Sequence, residues 1–93
     1  MSANDAATDL ENRRKRLLYQ SIYRGNKEND IILGRFARTR LGTFTAEELD
    51  QYEKLLANGD NDIFDWLSGR SEVPAEEDSP VLQQLLRFRV DLA

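Results

Sequence analysis

The sequence predicts an all-α protein, a compact five-helix and largely antiparallel bundle, and three observations carry that prediction. Five stretches repeat apolar residues at the three-, four- and seven-residue spacings of a helix face. Glycines and capping residues punctuate the chain between them. Strand signals are nearly absent, with no sustained β-branched alternation and no Asn-Gly hairpin. Short links between helices favour antiparallel neighbours.

The first helix is expected from about Leu10 to Tyr23, where Leu10, Leu17, Leu18 and Ile22 share helical spacings and Gly25 ends the run. Residues 1–9 are expected to form a disordered tail, which leaves 10–93 as a single helical domain. A second helix is expected over Lys27–Leu41, where Ile32/Phe36 and Leu33/Ala37/Leu41 stack at i,i+4 and Gly42 closes the run.

The third start is the clearest local signal. Thr45 caps, Glu48 completes a T-x-x-E capping box, and Phe44 is placed to staple onto Leu49. Leu49, Tyr52 and Leu56 share a face, and Asn58–Gly59 ends the helix. Asp60 is expected to cap a short fourth helix through Ile63, Phe64, Trp66 and Leu67, which stops at Gly69. Residues 70–79 are acidic and turn-like. Ser79–Pro80 then reads as a cap followed by proline at the first helical position, and Val81, Leu82, Leu85 and Leu86 give the last helix its apolar face. Trp66, between Phe64 and Leu67, reads as core, because large aromatics dominate small cores.

The chain has 93 residues, 40% hydrophobic and 32% charged, a composition suited to a soluble globular domain. It has no cysteine and no histidine, which removes disulfides, thiolate metal sites, the commonest metal ligand and the commonest general base. No metal site and no catalytic residue is expected, and an independent enzyme is disfavoured. No apolar run reaches the roughly 18–20 residues of a membrane span. No apolar segment of a secretory signal follows Arg16, and the early acids Asp5, Asp9 and Glu11 argue against a transit peptide. The cytoplasm is the default location, or the mitochondrial matrix for a processed eukaryotic form. Charge is uneven: residues 1–42 balance to +4 and residues 43–93 to −8. Two such poles can orient a docking partner, although solvated helix faces account for them equally well.

Between the first two helices the chain reads Tyr23-Arg24-Gly25-Asn26-Lys27-Glu28-Asn29-Asp30. Gly25 ends one helix, Asn26 caps the next, and Glu28 and Asp30 lie near its positive N-terminal turn. In the plain structural reading Arg24 closes over the preceding carbonyls. The functional alternative is a tight corner that presents a cation, two acids and bare backbone to a partner, with glycine permitting close approach.

The order R-G-x-x-E-x-D, here Arg24, Gly25, Glu28 and Asp30, resembles the signature of the succinate dehydrogenase assembly factors that promote covalent flavin attachment, the SdhE type of bacteria and its mitochondrial relatives. Leu17-Leu18-Tyr19-Gln20-Ser21 precedes the motif and Asp30-Ile31-Ile32-Leu33-Gly34-Arg35-Phe36-Ala37 follows it, as in that family. Tyr52-Glu53-Lys54-Leu55-Leu56 then leads into Asp60-Asn61-Asp62-Ile63-Phe64-Asp65-Trp66-Leu67, which resembles the family's D-x-D…W block. The likeness covers roughly residues 13–90. Tyr23 departs from it, since many relatives carry a second basic residue there.

The resemblance implies an assembly factor that binds the flavoprotein subunit of succinate dehydrogenase, or of fumarate reductase, and promotes attachment of FAD to a histidine of that client. It implies Arg24, Gly25, Glu28 and Asp30 as partner-binding residues, no cofactor held by the chain itself, and a monomer when free. The absence of histidine and of a Gly-rich dinucleotide loop agrees with a helper acting on the client's FAD. Two other readings compete. One is an antitoxin-like or general protein-interaction module. The other is a nucleic-acid binder using Arg13-Arg14-Lys15-Arg16 and Arg35/Arg38/Arg40, against which the sequence pI of about 4.8 stands.

Overall fold

The computed structural model describes the backbone of residues 3–92 and the side chains of residues 8–89. Five α-helices form an all-α bundle: α1 (Ala3–Ile22), α2 (Lys27–Arg40), α3 (Ala46–Leu56), α4 (Asp60–Ser68) and α5 (Pro80–Leu92). Single 3-10 turns at Leu41–Thr43 and Ala75–Glu77 precede α3 and α5. Helix α1 starts at Ala3, well ahead of the expected Leu10, so most of the stretch expected as a tail is helical. Alanine is the strongest helix former, and Ala3, Ala6 and Ala7 let α1 continue without an apolar stripe. Met1 and Ser2 lie outside the described residues.

Helix α2 is the central element. It packs on α1, α4 and α5, while α3 joins α1 to α5. Leu33, Phe36 and Ala37 of α2 meet Leu17, Tyr52, Ile63, Trp66, Leu67, Val81, Leu82 and Leu85 in one buried core. The Phe36 ring lies 5.5 to 5.9 Å from those of Phe88, Tyr52 and Phe44, the edge and tilted geometries aromatic quadrupoles favour. Trp66 is buried, as expected.

Of the four expected side-chain caps, those at Asn26, Thr45 and Ser79 form. Thr45 and Glu48 close a reciprocal capping box, and Ser79 Oγ accepts from the backbone N–H of Leu82 at 3.1 Å. Asp60 does not cap α4. Gly59 holds that position without a side-chain bond, and Asp60 is the first helical residue. Its carboxylate is engaged by the Arg24 guanidinium instead.

A buried polar link ties α1 to α3. Ser21 Oγ donates to the Leu17 carbonyl at 2.8 Å, which leaves the Tyr52 hydroxyl to donate to Ser21. Burial pushes the Tyr52 phenol up to about 12, opposed by the Ser21 hydrogen bond and the nearby Arg24 charge. In the unfolded chain the phenol ionises near pH 10, so above that pH the unfolded state binds fewer protons and stability falls. Denaturant titrations should show a loss of roughly 2–3 kcal/mol between about pH 10 and 12. Tyr52→Phe should flatten that loss, at a cost of about 1 kcal/mol at neutral pH.

Candidate partner-binding site

The corner between α1 and α2 spans Tyr23 to Asn26. Gly25 sits at φ +90°, a left-handed conformation that any side chain would strain, and it is exposed with open space where a Cβ would stand. Asn26 caps α2 by accepting from the Asn29 N–H at 3.0 Å.

Arg24 turns away from this corner and into the protein. Its Nε donates to Asp60 Oδ1 at 2.6 Å, its Nη1 to the Leu56 carbonyl at 2.9 Å, and its Nη2 to the Asn58 carbonyl at 2.7 Å. The side chain is only 12% exposed. The guanidinium therefore satisfies two orphan carbonyls at the end of α3 and pairs with the first acid of α4. Asn29, fully buried beside it, donates from Nδ2 to the Asp60 carbonyl at 2.9 Å. Asp30 Oδ1 accepts from the Arg24 backbone N–H at 3.0 Å and braces the turn from the other side.

The four motif residues thus divide. Arg24 and Asp30 spend polar groups inside the fold, while Gly25 and Glu28 face outward. The structure also joins the motif to the D-x-D block through Asp60, across 36 residues of sequence. Spacing along the chain gives no sign of that contact.

Three exposed residues beside the corner were not picked out as contacts by the sequence. Tyr19, Tyr23 and Ile31 are 64%, 68% and 49% exposed, the large hydrophobics left open among the described residues. Tyr19 and Tyr23 meet at i,i+4 with ring centroids 4.6 Å apart and ring planes tilted by 40°. With Arg16, Gln20, Glu53 and Leu56 they border a groove of about 500 Å³ between α1 and α3. Their i,i+4 spacing was visible, but it lies off the stripe that carries Leu17 and Ser21 into the core. A second groove, of about 360 Å³, runs between α1 and α2.

The basic stripe of the nucleic-acid reading is largely committed elsewhere. Arg13 pairs with Asp50 and Glu53, Arg16 with Glu53, and Lys15 with Glu11. Arg14 donates to the Leu41 and Phe44 carbonyls, each at 2.9 Å. Among the described residues no group of three or more His, Cys, Asp or Glu side chains could hold a metal ion, and no helix is long and apolar enough to cross a membrane.

Comparison with known proteins places this arrangement in context. Residues 15–89 match the family model Sdh5, described as flavinator of succinate dehydrogenase. The FAD assembly factor SdhE of Acetobacter pasteurianus is 40% identical over 86 residues, covering 91% of this chain and 79% of that protein. The mitochondrial succinate dehydrogenase assembly factor 2 of Dictyostelium discoideum is 42% identical over 80 residues, covering 86% of this chain and 57% of that protein. Its Yarrowia lipolytica counterpart is 43% identical over 81 residues, covering 83% and 56%. The chain thus spans little more than half the length of these mitochondrial relatives and most of the bacterial one. The matched segment contains the whole Arg24–Asp30 corner, the Asp60 block and Trp66, and on that basis the chain belongs to the family of flavinators of succinate dehydrogenase.

Proposed function

We propose that this chain is a non-catalytic assembly factor that docks on the flavoprotein subunit of succinate dehydrogenase and promotes covalent attachment of FAD to a histidine of that subunit. The flavoprotein of fumarate reductase is a second client of the same kind. The observation that carries this reading is the corner itself. A largely buried Arg24 clamp fixes a turn whose outward groups are a bare glycine backbone and the Glu28 carboxylate, with two tyrosine rings in tilted contact beside it. That surface suits close approach to another protein.

Gly25 lets the client's surface reach the backbone, and Glu28 accepts a hydrogen bond or ion pair from it. Arg24 and Asp30 hold these two in place, and the tyrosine pair supplies apolar area next to them. The chain holds no flavin of its own. It acts by favouring the client conformation in which FAD and the acceptor histidine are aligned, which is positioning and preorganisation supplied in trans. It works as a monomer in the compartment where the client folds, the cytoplasm of a bacterium or the mitochondrial matrix of a eukaryote.

Reconstitution tests this. Purified apo-flavoprotein subunit is incubated with FAD, with and without the chain, and covalent flavin is read by in-gel fluorescence after denaturation. The chain should raise the rate of covalent attachment by at least about a hundredfold, the scale on which a small misplacement of reacting groups costs rate. An unchanged rate, with no complex formed between the two proteins, would sink the reading.

A further inference from the structure

We propose that the groove between α1 and α2 is a second docking surface on this chain, built to take an acidic segment of the flavoprotein partner that carries an apolar side chain. The groove is lined by Ile22, Lys27, Asp30, Ile31, Arg35 and Arg38. Residues 1–42 carry nine Lys and Arg side chains. Six of them have partners inside the protein. Arg13, Lys15, Arg16 and Arg24 are in ion pairs, and Arg14 bonds two carbonyls. Arg40 reaches Gln84 and lies over the Phe88 ring. The remaining three, Lys27, Arg35 and Arg38, have no ionic or hydrogen-bond partner among the described residues, and all three line this one groove.

Their placement is regular. Lys27, Ile31, Arg35 and Arg38 follow one another at spacings of four, four and three, so they form a single stripe along α2. Ile31, 49% exposed, stands between the cations, and Ile22 of α1 adds apolar surface below it. Asp30 is the only acid on the groove among the described residues, and one of its oxygens already accepts from the Arg24 N–H. The groove is therefore cationic on a chain whose net charge is −4. Such a local reversal attracts an acidic segment and fixes its register, while the rest of the surface repels it. The groove is also continuous with the Gly25–Glu28 corner, because Lys27 and Asp30 share the first turn of α2 with Glu28.

The proposal rests on the flavoprotein reading above, and the test separates the two. Binding of the purified flavoprotein subunit is measured by rapid mixing from low to physiological ionic strength. The proteins compared are the wild type, the Arg35→Glu/Arg38→Glu double variant, Ile31→Ser and Glu28→Ala. All three groove positions are exposed, so folding should be retained, and circular dichroism checks it. The double variant should associate about tenfold more slowly at low salt, with a flattened salt dependence, as loss of steering charges predicts. Ile31→Ser should mainly speed dissociation. An unchanged association rate and salt slope in the double variant, with Glu28→Ala impaired, overturns the groove and leaves the function reading standing. Failure of the wild type to bind overturns both. Duplex DNA bound more tightly than the flavoprotein, and released by the double reversal, overturns the groove proposal in favour of a nucleic-acid surface.

Discussion

Glu28→Ala is expected to cut the rate of covalent flavin attachment on the client by on the order of a hundredfold while barely moving the unfolding temperature. Glu28 is exposed in the first turn of α2 and has no hydrogen-bond or ionic partner among the described residues. Its one internal contribution is a favourable charge at the positive end of the helix, worth about 0.3–1 kcal/mol. A large functional loss with so small a structural cost points to contact with the partner. Gly25 needs a pair of variants, because two demands coincide there. Its φ of +90° costs any L-residue about 1–2 kcal/mol, and its exposed backbone leaves room for a close neighbour. Gly25→Asn tolerates the left-handed turn and adds a short side chain to the surface. Gly25→Arg adds strain and bulk together. Loss of flavin attachment in both variants shows that the partner needs the bare backbone. Retention in Gly25→Asn alone shows that glycine serves only the turn, and retention in all three variants removes this corner from the interface.

Helices α2 to α5 were legible in the sequence because each carries its own stop or start chemistry. The Thr45–Glu48 box, the Ser79–Pro80 start and Gly69 at φ +77° act within a few residues, so spacing alone reveals them. The start of α1 was not legible, since an alanine-rich turn that adds nothing to the apolar stripe looks like a tail. The 3-10 turns at Leu41–Thr43 and Ala75–Glu77 are too short to show any period. The motif was legible as a motif, but its internal division was not. Whether an arginine points to solvent or into the fold depends on what the tertiary structure brings beside it. Here that is the end of α3 and Asp60, far away in the chain. Asp60 was misassigned for the same reason. An aspartate after Asn-Gly and before an apolar run is a good cap by local rules, and a guanidinium arriving from another helix outbids the cap.

Arg24→Ala should cost about 3 kcal/mol of folding stability, more than truncation of any exposed residue of the corner. The substitution leaves the Asp60 carboxylate and the Leu56 and Asn58 carbonyls without their donors in a partly buried site. A domain of this size has only roughly 5–10 kcal/mol in total, so the melting temperature should drop by well over ten degrees. Arg24→Lys keeps the charge but replaces a planar fork with a single point donor, so it cannot meet three divergent acceptors and should recover only part of the loss. Combining Arg24→Ala with Asp60→Ala should give a coupling of about 1–3 kcal/mol, because each removal already breaks the same contact. The cycle also decides how the arginine serves binding. Below both melting temperatures, flavoprotein affinity should fall by a similar factor in Arg24→Ala and Asp60→Ala, since either change loosens the turn that presents Gly25 and Glu28. A loss confined to Arg24→Ala would instead mean that the guanidinium leaves Asp60 and meets the partner itself. In that case the inward clamp would describe the free protein only, with Asp60 as a resting partner exchanged on docking.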